Sequence, residues 1–498
     1  MKLSTELFGL IKSLTKSEKR YFKLFASLQG GEKNYIKLFD ELETLDEYNE
    51  SAIREKFKNE KFIKQLPFTK NYLYRLIMKS LLSFHSEKSL DLKLCDIIQN
   101  CKIFYARGMY KEFFSNIRTG KRLAEKTERF NFQLQFIEME KVVFFKKVIK
   151  YKDESEILRQ EEEVKRITEN YNAYSNLIVE TVNFFRLHGR IRDDSLTDFV
   201  NTKLNHELMR TPQNALSVMA KEAYYRELMH LSDLLGDFEK MKQYCLKRFE
   251  IIQNNPLQFE DRLFNYNGDI LIYLILLNIR LKNFREANKF IRVAEKFYSK
   301  GTIDENDFFI IKNYGLLQIF FKQRKYKKAA ELIPEILGSL RSRKNNFDNN
   351  FRILLFFTMV NVLVLSDETE QALNFNNELL NDEIIKIRQD IKYYAELVNI
   401  LIHYELGNHT LVKHLINSKF RYLEKAKRPF KMETILLGFI KKLPSFKNEI
   451  EKLDKMIDIK RELEILRNDK YEKNVFDYFP FDEWIEKQMK FLQEGISK

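Results

Sequence analysis

The sequence predicts an all-α protein built as an array of helical hairpins. Apolar residues recur at helical spacing along almost the whole chain, whereas strand alternation and glycine-bounded β-branched runs are absent. Only 14 glycines and 7 prolines occur in 498 residues, so loops must be short and few. The hydrophobic content of 44%, with 43 phenylalanines, is sufficient for a packed core along most of the chain.

The first helix that the sequence defines starts after Thr15. Thr15 and Glu18 have the spacing of a capping box, in which the threonine hydroxyl accepts a free N–H of the first turn and the glutamate binds the threonine N–H. Gly30 and Gly31 are expected to end this helix, because glycine adopts positive φ readily.

Further helices are predicted over residues 34–45, 50–59 and 68–86, with Pro67 before the last of them. Together with the first helix they make up an amino-terminal helical domain or cap, residues 1–92. A small domain of helix-turn-helix type and an irregular cap of the following helices both fit this pattern.

Cationic side chains gather on one face of the first helix, opposite its aromatic residues. With two cations of the helix that starts at Phe68, they form a candidate patch for an anion or a nucleic acid: Lys16, Lys19, Arg20, Lys23, Lys70 and Arg75. The alternative is a solvated outer face. The net charge of +14, from 86 basic and 72 acidic residues, is weak evidence for either interpretation.

A turn pattern recurs through the rest of the chain: two small or polar residues, an aromatic residue, two polar residues and a small or apolar residue. The copies are GMYKEF (108–113), GDFEKM (236–241), KNFREA (282–287) and RKYKKA (324–329), and two weaker copies follow, DETEQA (367–372) and GNHTLV (407–412). From 236 onward they are about 42 residues apart. The pair is expected to turn the chain between two helices, and the last residue to allow close helix packing.

Strongly apolar helices precede these turns, and more charged helices follow them. Residues 269–281 and 310–321 represent the first kind, and residues 286–298 the second. The most apolar run, Ile353–Leu365, is shorter than the roughly 20 residues that span a bilayer. It is predicted to be a helix that is buried on nearly all sides.

The turn-and-aromatic pattern resembles that of tetratricopeptide-type repeats over residues 93–440. The resemblance implies a right-handed superhelix of helical hairpins whose first helices line a concave surface. Because the period exceeds the roughly 34 residues of the standard repeat and its Trp and Leu-Gly are missing, the chain fits a broader tetratricopeptide-like group. HEAT-type repeats have the right period but different turns, and they are the structural alternative.

Polar residues within the apolar first helices are candidates for the groove of such a superhelix, where they would bind an extended peptide or a partner helix. They are Asn278, Lys312, Asn313, Gln318, Asn361, Asn399 and His403. Lateral contacts between hairpins, or exposure at hairpin edges, would explain the same residues.

Residues 441–498 are predicted to form a carboxy-terminal helical cap. The stretch from 475 to 492 contains the single tryptophan, Trp484, and a break at Pro480. Its aromatic residues are expected to seal the final repeat, since terminal repeats need such caps.

No complete catalytic or cofactor motif occurs in the sequence. The chain has no phosphate loop and no nucleophile elbow, and His206-Glu207 lacks the second histidine of a zinc protease, because Arg210 stands in its place. We therefore expect no catalytic residue, no metal and no cofactor. The three cysteines and the lack of a signal peptide favour a reducing compartment, the cytoplasm.

The resulting hypothesis is a non-enzymatic scaffold or adaptor that recruits another protein or a peptide. The alternative is a nucleic-acid-associated regulator that uses its basic amino-terminal helices. An enzyme ranks third, without support from any motif, and no membrane partner is expected.

Overall fold

The helical prediction is confirmed: the computed structural model contains helices and turns, and no strand, in the residues that it describes. Those residues are 3–28, 34–86, 89–145, 154–192, 194–260, 265–342, 348–425, 430–446 and 448–496. By contacts, the chain divides into an amino-terminal unit, Met1–Val164, and a carboxy-terminal unit, Lys165–Lys498. This division differs from the expected boundaries after residues 92 and 440. Those boundaries mark the predicted start and end of the repeat region, and they stay predictions.

The amino-terminal unit contains α1 (Leu3–Ser13), α2 (Lys16–Ser27), α3 (Asn34–Thr44), α4 (Glu50–Lys56), α5 (Leu66–His85), α6 (Leu90–Ala106), α7 (Tyr110–Lys126), α8 (Phe130–Phe145) and the start of α9 (Glu154–His188). The capping box at Thr15 is confirmed, since its hydroxyl accepts from the Glu18 N–H and the Glu18 carboxylate accepts from the Thr15 N–H. Gly30 and Gly31 lie outside the described residues. Pro67 lies in the first turn of α5 and not before it.

In its described residues, the carboxy-terminal unit contains the rest of α9 and seventeen further α-helices, besides short 3₁₀ helices. They are α10 (Thr197–Leu204), α11 (Val218–Leu235), α12 (Phe238–Asn254), α13 (Pro256–Phe259), α14 (Tyr266–Arg280), α15 (Phe284–Ser299), α16 (Glu305–Phe309), α17 (Gly315–Lys322), α18 (Tyr326–Ala330), α19 (Ile333–Ser342), α20 (Asn349–Leu365), α21 (Thr369–Asn381), α22 (Gln389–Glu405), α23 (His409–Lys425), α24 (Lys431–Lys442), α25 (Glu449–Leu466) and α26 (Phe481–Ile496). A π-helical segment, Ile310–Tyr314, joins α16 to α17.

Every predicted turn contains one residue in the left-handed conformation, which reverses the chain after a helix. These residues, with φ between 58° and 74°, are Gly108, Gly236, Lys282, Arg324, Asp367 and Gly407. The next helix begins two residues later in each case. The last residues of the six patterns are at most 5% exposed: Phe113, Met241, Ala287, Ala329, Ala372 and Val412. The turn prediction and the predicted close packing are thereby confirmed.

Helices joined by these turns pack on each other, as α6 does on α7, α11 on α12, α14 on α15, α20 on α21 and α22 on α23. The prediction for Ile353–Leu365 is also confirmed, because its apolar residues in α20, apart from the partly buried Leu354, are at most 7% exposed. The same close packing explains Gly120 in α7. A Cβ atom at Gly120 would lie 2.1 Å from Cζ of Phe136 in α8.

The carboxy-terminal segment, Asp469–Lys487, contacts more of the chain than its predicted role as a cap of the final repeat requires. It runs along several hairpins in turn: Asn361 of α20 donates to the Tyr478 carbonyl over 2.7 Å, and the Trp484 indole N–H donates to Glu405 of α22 over 2.8 Å. Arg324, in the turn before α18, binds Glu486 at 3.0 Å. The expectation was too narrow because these partners lie 79 to 162 residues away in sequence.

Arg192 ties the start of the carboxy-terminal unit to this segment. Its Nη2 binds Glu433 at 2.8 Å and Glu472 at 2.6 Å, and the guanidinium lies 4.0 Å from the ring centre of Phe430. Nearby, the Asn474 amide donates to the Ile191 carbonyl over 3.2 Å. The two carboxylates are buried, so they depend on this guanidinium for their charge compensation.

We expect Gly120→Ala to destabilise the amino-terminal unit by about 1–3 kcal/mol, because the methyl group would displace the Phe136 ring. Thermal unfolding followed by far-UV circular dichroism measures this loss of stability. Trp484 lies in the carboxy-terminal unit, so the unfolding transition of the amino-terminal unit is the one that Trp484 fluorescence does not report. Gly9→Ala is the matched control, since a Cβ at Gly9 in α1 meets nothing within 4 Å. It should stabilise by up to about 1 kcal/mol, and equal effects of the two substitutions would contradict the packing at Gly120.

We expect Arg192→Ala to destabilise the carboxy-terminal unit by about 3–5 kcal/mol, because two buried carboxylates lose their counter-charge. Urea unfolding followed by fluorescence isolates this unit, since Trp484 is the single tryptophan and is 0% exposed. Lys289→Ala, which removes an ion pair whose lysine is 67% exposed, should change the stability by less than about 1 kcal/mol. Coincident unfolding curves for the two variants would refute this assignment.

Candidate ligand-binding cavity

The predicted basic patch is only partly available to an external anion. Lys19 lies 3.3 Å from Glu43, and Lys23 binds Asp40 at 2.8 Å and Glu43 at 3.1 Å. Hydrogen bonding to Asp40 raises the pKa of Lys23. The acids come from α3, so the sequence of α2 alone does not reveal that two of its cations are compensated.

Lys70 does not belong to the surface patch, because it is 3% exposed. Its ammonium donates to Glu50 over 2.7 Å and contacts the hydroxyl of Tyr48, and hydrogen bonds from Lys70 and Arg54 lower the pKa of Glu50 to about 2. Lys16, Arg20 and Arg75 are exposed. The patch therefore keeps three exposed cations, two paired ones and one buried one.

Two of the predicted groove residues, Gln318 and Asn361, line a cavity of about 730 Å³ in the carboxy-terminal unit. The Gln318 amide donates to the Tyr314 and Thr358 hydroxyls over 3.1 and 2.9 Å. The Asn361 amide nitrogen is held by the Tyr478 carbonyl, and its Oδ1 accepts no hydrogen bond from the described residues.

The other predicted groove residues do not line this cavity. Asn278 and Asn313 each donate to a carbonyl four residues earlier in the chain, and Asn399 accepts from Asn376. His403 pairs with Asn408, and Lys312 is exposed. The structure therefore places Asn278 and Asn313 in hydrogen bonds with residues four positions earlier, which neither interpretation proposed, and Asn399 in a contact between α21 and α22.

The cavity is enclosed by α9, α11, α14, α17, α20 and α22, with the carboxy-terminal segment on one side. Its volume lies within the range of about 300–1,000 Å³ that is typical of ligand pockets. Most lining residues are apolar or aromatic. The charged ones are six cations, Arg186, Arg190, Arg226, Arg280, Lys322 and Arg388, and four acids, Asp233, Asp269, Asp348 and Asp477.

Asp477 organises the cations on the side of the carboxy-terminal segment. Arg280 binds it at 3.1 Å, and Arg190 lies 3.6 Å from it while binding Asp233 at 2.9 Å. Burial opposes the ionisation of Asp477, but the charges of Arg280, Arg190 and Lys322 hold its pKa below the usual value. Asp477 is therefore ionised at neutral pH.

Lys322, the last residue of α17, has neither a hydrogen bond nor an ion pair with the described residues. Burial lowers its pKa, and so does the charge of Arg280. Burial and the neighbouring Arg190 likewise lower the pKa of Arg280. Lys322 is thus a cation of the cavity wall that no carboxylate binds among the described residues.

Two aromatic groups add polar atoms to the cavity wall. The Tyr273 hydroxyl has no hydrogen-bond partner among the described residues, and burial raises the pKa of this group. Burial and the charges of Arg248 and Arg226 lower the pKa of His230 to about 3. His230 is therefore neutral at physiological pH and adds no charge.

The sequence pointed to Gln318 and Asn361 but not to the charged lining. Two of the lining charges could have been noticed in the sequence, because Arg280 and Lys322 are isolated cations at the ends of otherwise apolar helices. The remaining charges could not be found, because Arg190 and Asp477 come from a linker and a 3₁₀ turn far apart in sequence.

The arrangement can bind charged and polar groups. Within the described ranges, no three His, Cys, Asp or Glu side chains converge as metal ligands. Burial raises the pKa of Cys245 to about 12, which keeps this thiol protonated. No helix of the described chain is long and apolar enough to cross a membrane.

Comparisons with known proteins give no assignment: no protein-family model matches the chain, and no curated protein is similar to it in sequence. The tetratricopeptide-like assignment therefore stays a prediction from the turn pattern.

Glu227 of α11 is a buried acid behind the cavity wall. It is 0% exposed and accepts a hydrogen bond of 2.6 Å from Thr181, a residue of the wall. Burial raises its pKa to about 7. The unfolded chain releases this proton near its ordinary pKa of 4.5, whereas the folded chain keeps it until about 7. The folded state therefore loses stability as the pH rises through this window.

We expect Glu227→Gln to stabilise the carboxy-terminal unit, with a gain that grows between pH 4.5 and about 7 and reaches up to about 3 kcal/mol. Urea unfolding by Trp484 fluorescence at several pH values measures this difference. Glu250→Gln, at an exposed glutamate of α12, is the control. The difference in the free energy of unfolding between this variant and the unmodified protein should not change with pH. A constant difference for Glu227→Gln would show that Glu227 ionises normally in the folded protein.

Proposed function

We propose that this chain is a non-catalytic binding protein, a tetratricopeptide-like scaffold whose carboxy-terminal unit holds a segment of another protein in its cavity. The observation that carries this proposal is a cavity with polar groups that lack partners among the described residues. They are the Tyr273 hydroxyl, the Lys322 ammonium and Oδ1 of Asn361. Oδ1 of Asn361 is buried without a partner, which costs free energy, and the Tyr273 and Lys322 groups can still form hydrogen bonds with a ligand in the cavity. A ligand that pairs with all three binds favourably.

The placement of these groups supports a role of the first helices in binding. Tyr273, Lys322 and Asn361 belong to α14, α17 and α20, each of which precedes one of the predicted turns. The proposed superhelix would bring such helices side by side along its concave surface. A peptide segment suits this wall better than a compact metabolite, because donors, acceptors and apolar side chains are distributed over several helices.

The proposed location is the cytoplasm. Cys95, Cys101 and Cys245 form no disulfide, and buried or partly buried free thiols suit a reducing compartment. The nucleic-acid alternative loses Lys70 from its contact surface and has two of its cations compensated. No observation in the structure favours it over the binding of a protein segment.

We expect Leu276→Trp to abolish the capture of a protein partner, because the larger side chain would occupy the cavity that Leu276 lines. The measurement is affinity purification of the tagged protein from its host cells after nuclease treatment, with mass spectrometry of the bound proteins. Leu411→Trp, at a leucine of α23 that is 42% exposed, is the control and should retain the partner.

Two results would contradict this proposal. A partner that both variants retain equally would place the binding surface outside the cavity. Nucleic acid that copurifies before nuclease treatment, and is lost when Lys16 and Arg20 are replaced by glutamate, would favour the regulator. Circular dichroism of each variant verifies that it is folded.

A further inference from the structure

The charges around Asp477 do not balance among the described residues. Among the residues that line the cavity, Arg190, Arg280 and Lys322 supply three positive charges here, and Asp233 and Asp477 supply two negative ones. Outside the lining, Glu483 favours the charged form of Lys322 and Arg467 disfavours it, so this pair of opposite charges does not remove the difference. Arg190 and Arg280 use their guanidinium groups to bind these acids. Lys322 has no such partner, although it lines the same cavity.

An unpaired ammonium in a partly buried site is unfavourable, because burial removes water without supplying a counter-charge. Burial is the largest cause of the lowered pKa of Lys322. One additional anion in contact with Lys322 would neutralise the group. The ligand-free protein thus has a local electrostatic cost that an acidic ligand would remove.

We propose that the cavity selects an acidic peptide segment, and that the Lys322 ammonium binds a carboxylate of that segment. This inference rests on the proposed function and names the chemistry of the bound segment. The charges around Asp477 lack one negative charge, and a carboxylate carries a single negative charge. A phosphate carries a charge of about −1.5 to −2, which is more than is needed to balance them. The ammonium is also a compact point charge that needs no bidentate geometry, unlike the arginine forks already bound to Asp233 and Asp477.

The carboxylate would act as an anchor. The exposed Arg186, which also lines the cavity, places a further cation where a ligand can reach it. Its guanidinium donates to the Ile387 carbonyl over 3.3 Å. It would favour the approach of an acidic segment, while Lys322 would contact the carboxylate inside the cavity. Basic segments would be rejected because they add a like charge.

The test uses the full-length protein and three pools of blocked hexapeptides that are identical except at a central position, which is Glu, Gln or Lys. Equilibrium dialysis with mass spectrometry measures how much of each pool is retained. We expect the Glu pool to be retained roughly tenfold over the Gln pool, and the Lys pool least. Lys322→Met should reduce the Glu-to-Gln ratio to about 1, whereas Lys325→Met, at an exposed lysine of the next turn, should leave it unchanged.

A second readout does not depend on peptides. Removal of an uncompensated cation should raise the unfolding temperature of the ligand-free protein in Lys322→Met, but not in Lys325→Met. Trp484 fluorescence follows this transition. A lower unfolding temperature in Lys322→Met would show that the folded protein already compensates the Lys322 charge, and it would overturn the inference.

The outcomes separate the two proposals. Retention of peptides without any preference for Glu would overturn the acidic selectivity and leave the binding of a segment intact. If the unmodified protein retains no more of any of the three pools than the Leu276→Trp variant does, the proposed function itself is overturned. A preference for Glu that Lys322→Met preserves would assign the selectivity to another cation.

Discussion

The ion pairs of Arg192 hold the carboxy-terminal unit together, because they join residues at its start to residues near its end. Glu433 and Glu472 are buried, and both bind the guanidinium of Arg192, which supplies their counter-charge. This contact fixes the carboxy-terminal segment against the helices that precede it. The cavity exists because that segment stays in place, and its charged groups are therefore held by buried interactions and not by a flexible loop.

The cations of the cavity wall differ in whether an acid binds them. Arg388 is bound by both oxygens of Asp390, at 2.8 and 2.7 Å, and needs no further partner. Lys322 has no acid of its own, although Asp477 is close enough to affect its pKa. A protein that only had to be stable would gain from an apolar residue at position 322. Sites at which stability is given up in this way are where binding functions are commonly found.

The amino-terminal unit shows why a stripe of cations on one helix does not establish a binding surface. The exposure of Lys16 and Arg20 agrees with the predicted cationic face, whereas Phe22 and Ala26 are the buried residues of α2. The acids that compensate its other cations lie on α3, which the packing of the helices brings alongside. Whether a cation is available depends on its neighbours in space, and these come from other helices.

The sequence by itself determined the helical fold, the six turns and the buried residues that follow them, because these features depend on interactions within a few residues. Gly236 and Ala287 are examples, since a left-handed turn and a close helix contact restrict the residue type locally. The tertiary structure alone decided the cavity and its charge. Arg280 and Asp477 are 197 residues apart, and they meet only because the carboxy-terminal segment packs across the intervening helices. Such a contact depends on how all those helices pack together, which no local pattern specifies.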